Sequence, residues 1–119
     1  MSMLGDWMGQ ETYIMHCRQK TVIKSIYLVY TGKREQFEEY VAEVIVKVND
    51  IVVFHVTLYD IMMYAKIKRS VQTFVTKLFI EPIYLNEGDE LKILVLWSRK
   101  RIYDVPPPKV EFKVDVIEF

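Results

Sequence analysis

Along most of the chain, apolar and polar residues alternate with a period of two, the mark of strands with one face turned inward. In residues 11–18, Tyr13, Met15 and Cys17 fall on one side, and Thr12, Ile14 and His16 on the other. Residues 21–31 predict a longer strand, with Val22, Ile26, Leu28 and Tyr30 on one face and Ile23, Tyr27 and Val29 on the other. Residues 40–48 set Ala42, Val44, Val46 and Val48 against Glu43 and Lys47. Residues 51–59, 72–80, 91–97 and 110–116 continue the pattern.

The punctuation between these segments is equally physical. Asn49 and Asp50 separate two strand patterns by two residues that tolerate positive φ, which predicts a tight hairpin. Asn86, Glu87, Gly88 and Asp89 form a second turn. There Gly88 can take left-handed backbone angles, while Asn86 and Asp89 can bond nearby main-chain N–H groups. Gly32 ends its strand, and residues 33–39, the most charged stretch, read as a loop or a single helical turn. Residues 60–71 fit a strand or irregular structure, with a short helix capped by Asp60 as the alternative. Pro82 lacks an N–H and predicts a bulge or an edge. Pro106, Pro107 and Pro108 predict an extended connector that joins no ladder.

Seven to eight short strands at close intervals predict an all-β chain, an antiparallel two-sheet sandwich of jelly-roll type with room for one short helix. Residues 1–10 have no period and are expected to form a loose arm ahead of a single domain over 11–119. The segment PIYLNEGDELKILV resembles the turn-containing hairpin frequent in jelly-roll proteins, among them tumour-necrosis-factor-like and complement-type heads and viral capsid or spike domains. The resemblance implies a binding or coat protein, commonly trimeric. It carries Gly88 and Asp89 over as turn-formers. In composition the chain also resembles small proteins of viruses that infect hyperthermophilic archaea.

Composition narrows the classes. At 119 residues the chain supports one domain that removes roughly two-thirds of its unfolded surface from water. Apolar residues make up 51%, high for so small a chain. No apolar run approaches the roughly 20 residues that span a bilayer, so no membrane partner is expected. The opening MSMLGDWMGQ does not read as a secretory signal, which leaves cytoplasm or a virion as the expected settings. Sixteen basic residues balance sixteen acidic ones, so neither a basic arm nor an acidic tail is present. Two Asn and four Gln, against many Lys and Glu, follow the compositional trend of hyperthermophile proteins.

Candidate chemistry is sparse. His16 and His55 lie in different strands, and no His-x-His pair with a carboxylate exists to hold a metal. Cys17 follows His16 directly, and adjacent strand residues point to opposite faces, so imidazole and thiol should diverge. One cysteine excludes an internal disulfide. No phosphate loop, dinucleotide fingerprint or nucleophile elbow is present, so neither an enzyme nor a cofactor is expected. Arg99, Lys100 and Arg101, with Trp97 and Tyr103 nearby, form a candidate polyanion contact. The zero net charge makes nucleic acid the weaker alternative. Tyr84, Tyr103 and Trp97 are candidate stacking platforms for a sugar ring, which gives a carbohydrate-binding module as a second alternative.

The most informative oddity is apolarity on both faces of a strand. In residues 91–97, Leu91, Ile93, Val95 and Trp97 make one face and Leu94 and Leu96 the other; the strand at 22–30 is similar. A sandwich strand should have one dry face and one wet one. The excess is expected to be covered by a second copy of the chain, or by another protein, with Ile93, Leu94, Val95, Leu96 and Trp97 as the candidate interface. A helix over 60–71 lying on one sheet is the alternative cover. The expected function is a non-enzymatic structural or protein-interaction subunit.

Overall fold

The computed structural model describes residues 7–33, 36, 40–58, 72–78, 80–99 and 107–119. Eight antiparallel strands form two sheets: β1 (Trp7–His16), β2 (Thr21–Gly32), β3 (Tyr40–Val48), β4 (Ile51–Leu58), β5 (Gln72–Lys77), β6 (Ile83–Leu85), β7 (Glu90–Arg99) and β8 (Lys109–Glu118). Sheet A runs β1-β7-β3-β4. In sheet B, β2 is central, with β8 along one side and β5 then β6 along the other. β5 and β6 are one strand line interrupted near Pro82, as a residue without an N–H requires. The chain changes sheet at every connection except the β3–β4 hairpin and this interruption, an interleaving of jelly-roll type. Sheet A therefore has four strand lines and sheet B three.

The core lies between the sheets. β7 supplies Leu91, Ile93, Val95 and Trp97, β3 supplies Tyr40, Ala42, Val44 and Val46, and β2 supplies Ile23, Ile26, Leu28 and Tyr30. Trp97 is edge-on to both Tyr30 and Tyr40, with ring centroids 5.9 and 6.1 Å apart. Such contacts add about 0.5–1.5 kcal/mol beyond area burial. The Tyr30 hydroxyl and the Trp97 indole N–H are buried here with no hydrogen-bond partner among the described residues.

Two bulges alter the faces read from the sequence. Between Ile23 and Ser25 the β2–β8 register slips by one residue. This turns Ile23 inward with Ile26, Leu28 and Tyr30, and leaves Val22 half-buried on the outer face with Tyr27 and Val29. The sequence reading had placed Val22 and Ile23 the other way round, because one extra residue inverts every side chain beyond it. Val53 is the extra residue on β4, opposite the step between Val46 and Lys47. At the N-terminus, pairing begins earlier than expected. Residues 7–10 of the predicted loose arm belong to β1 and pair with β7 across a register shift between Trp7 and Gly9.

Gly32, the last residue of β2, has little room for a side chain. A Cβ there would stand 3.0 Å from Gln36 Oε1 and 3.3 Å from the Pro108 ring. The Gln36 side chain accepts from Lys33 N–H at 2.7 Å and donates to the Pro107 carbonyl at 3.2 Å, so the proline connector packs on this corner. Gln36 N–H also donates to the Lys33 carbonyl at 3.0 Å, and the rest of the charged stretch, 34–35 and 37–39, lies outside the described residues. The segment 60–71, left open between strand and helix, lies outside the described residues.

Candidate functional site

The two predicted turns meet at one end of the sandwich. Asn49 and Asp50 both have positive φ (49° and 64°), and Gly88 has φ 90°. The first pair gives the mirror-image turn that matches strand twist. Asn49 Nδ2 donates to Asp89 Oδ1 at 3.0 Å, and Asn49 Oδ1 accepts from Glu90 N–H at 2.9 Å. Asn86 N–H donates to Asp89 Oδ2 at 2.8 Å. These donors hold the Asp89 carboxyl below the usual carboxylate range, with the Asn49 bond the larger cause.

The end of β1 is tied into the same corner. Cys17 N–H donates to the Asp89 carbonyl at 2.9 Å, and Gly88 N–H donates to the Cys17 carbonyl at 2.8 Å. Three segments distant in sequence are thus cross-braced by main-chain and amide bonds. The turn residues Asn49, Asp50, Asn86, Gly88 and Asp89 are all here, in structural roles. On the outer face Lys92 Nζ lies 3.7 Å from both Asp50 Oδ1 and Glu90 Oε1, and His16 Nε2 lies 3.7 Å from Glu90 Oε2.

A cleft of about 390 Å³ opens beside this corner, lined by Met15, His16, Cys17, Arg18, Gln19, Thr21 and Glu118. Its thiol is disarmed. Cys17 is buried while His16 is exposed, so the neighbouring side chains diverge as the strand period predicts. Burial pushes the Cys17 thiol up, a bond with Thr21 pulls it down, and the charges of Asp89 and Glu118 raise it further. The reactive form is the thiolate, and this setting keeps the thiol protonated at neutral pH. Gln19 Nε2 closes one side of the cleft by donating to Glu118 Oε2 at 2.9 Å. His55 is paired across the sheet with Glu43. Among the described residues, no group of three or more His, Cys, Asp or Glu is placed to hold a metal ion.

The candidate interface divides in two. Ile93 and Val95 are fully buried in the core and Trp97 is 1% exposed, so none of the three can meet a partner. Leu94 and Leu96 lie on the outer face of sheet A, Leu94 half-buried and Leu96 8% exposed between Gln10 and Glu43 in register. The burial of Trp97 also removes it from the sugar-stacking and polyanion sets. Tyr84 is 76% exposed on the outer face of sheet B, and Tyr103 lies outside the described residues. Arg99 ends β7, and Lys100 and Arg101 lie outside the described residues.

The sequence reading missed the surface apolar run at the start of β4. Ile51, Val52 and Val53 are 68%, 53% and 49% exposed. Their signal was the interruption of alternation by three successive β-branched residues on one side of a turn. Val52 is opposite Lys47, which pairs with Lys92 and, through it, with Ile14, also exposed. In the next row Ile45 pairs with Leu94. No family model, curated protein or solved structure matches the chain.

Proposed function

We propose that this chain is a non-enzymatic structural or protein-interaction subunit that associates with copies of itself through the apolar parts of its sheet surfaces. The observation that carries this reading is the exposed run Ile51, Val52 and Val53 on the edge strand of sheet A. Exposed single hydrophobics are ordinary, but a run of them on a strand that is a sheet edge among the described residues is a place where another chain docks or pairs. Ile45 and Leu94 lie in the neighbouring row of the outer face, and Ile14 stands at its far edge beyond Lys47 and Lys92. Each Leu-sized side chain that a neighbour covers contributes on the order of 1.5–3 kcal/mol.

The disarmed thiol and the purely structural turn cluster support the non-enzymatic part of the reading. The setting, a viral or thermophile accessory protein, rests on composition alone. The test is to replace Ile51 and Val53 together with Lys and measure mass by light scattering during size-exclusion chromatography. The expected result is an assembly larger than the 14.2 kDa chain for the parent and a smaller mass for the variant. A parent that elutes as a monomer at millimolar concentration overturns the proposal.

A further inference from the structure

Sheet B ends at β8, and among the described residues no strand pairs with its outer edge. Two hydrogen bonds fix which main-chain groups that edge presents. Phe119 N–H donates to the Lys20 carbonyl at 2.9 Å, so residue 119 turns its groups toward β2. Leu78 N–H donates to the Ile26 carbonyl at 2.9 Å, which aims the even residues of β2 beyond the bulge at β5 and the odd ones at β8. Both bonds assign the odd residues of β8 to the β2 ladder, since main-chain groups alternate sides along a strand. The N–H and C=O groups of Val110, Phe112, Val114 and Val116 are left on the open edge.

The side chains of β8 alternate as well. Val110, Phe112 and Val114 turn inward, and Lys109, Glu111, Lys113 and Asp115 are exposed on the outer face. In an antiparallel pairing of β8 with itself about a two-fold axis, every register centred on a residue sets even residues opposite even ones, so open donors and acceptors meet in each and charge chooses among them. Centred on Phe112, the register sets Lys109 opposite Asp115 and Glu111 opposite Lys113, each twice, with Val110 opposite Val114. Centres on Glu111 or Lys113 would set like charges face to face. A centre on Val114 matches Lys113 with Asp115 but leaves Glu111 opposite Ile117.

We infer that a second copy of this chain adds its β8 antiparallel to this edge, in the register centred on Phe112, to make one continuous sheet across a symmetric dimer. Such a self-complementary patch is what a two-fold contact requires, and opposite-charge pairs directly across a ladder stabilise it. The dimer also widens sheet B, now one line narrower than sheet A, and covers the half-buried Phe112, which contacts Tyr13 at 5.8 Å between centroids. The inference rests on the self-association proposed above and locates a contact distinct from the β4 run.

The test is charge exchange on the exposed face, where the fold is not at stake. Glu111→Lys and Lys113→Glu each set two like-charged pairs across the axis, and each should raise the dimer dissociation constant by about tenfold or more. The double variant E111K/K113E restores opposite charges and should return the constant to within a few-fold of the parent. Sedimentation equilibrium reads all four proteins, and thermal unfolding of each checks the fold. Single variants that dimerise like the parent, or a double variant that stays weak, overturn the β8 register while leaving self-association standing. A closed trimer also overturns the β8 pairing and leaves self-association standing. A monomeric parent overturns both.

Discussion

Asp89 shows how one short side chain organises a corner. Its two carboxylate oxygens take donors from Asn49 and Asn86, and its carbonyl takes one from Cys17. The folded state holds its carboxyl below the value of about 3.9 expected in an unfolded chain. The ionised form therefore favours folding. That contribution is present in full above the unfolded value and is lost as pH falls through the folded one. The expected outcome is a urea midpoint that falls as pH is lowered below about 4. Asp89→Asn should make that drop shallower. An identical acid profile for parent and variant would remove Asp89 from this role. Cys17 makes the opposite point: a residue beside a histidine in sequence is chemically quiet, because strand geometry separates the pair and burial keeps the thiol protonated.

At the scale of elements, the hairpin turn of Asn49 and Asp50 does two jobs. Its backbone takes positive φ, and the Asn49 amide reaches across to Asp89 and Glu90. Asn49→Gly keeps the backbone freedom and loses the amide, so it should cost about 1–2 kcal/mol. Asn49→Ala loses both and should cost about 1 kcal/mol more, from the left-handed strain. Equal losses in urea unfolding would mean the backbone angle carries no strain. Most strands were legible in the sequence because a period of two is written directly in residues such as Ala42, Val44 and Val46. The Asn-Asp and Asn-Glu-Gly-Asp turns were legible because few residues tolerate their angles. The bulges were not. Nothing in Val22-Ile23-Lys24-Ser25 marks where one residue is skipped, and every face before the skip was inverted. Nor could linear order show that the two turns and the end of β1 meet, since that depends on the interleaving of the sheets.

For the whole molecule, apolarity on both faces of β7 has a different resolution from the one its sequence suggested. Trp97, Ile93 and Val95 fill the space between the sheets, and Leu96 is nearly covered on the outer face. The surplus appears instead at edges, in Ile51, Val52 and Val53 on β4, and near the end of sheet B, in Ile117, Tyr84 and Phe119. Edge strands with free donors are where folded chains meet other chains. On the proposed reading, an apolar edge on one sheet and a charge-complementary edge on the other would give two separate contacts, as a building block of a larger assembly requires. The most direct measurement is the mass of the unmodified protein in solution, by sedimentation equilibrium from micromolar to millimolar concentration. The account predicts a mass of at least two chains that rises with concentration; a constant 14.2 kDa across that range would contradict it.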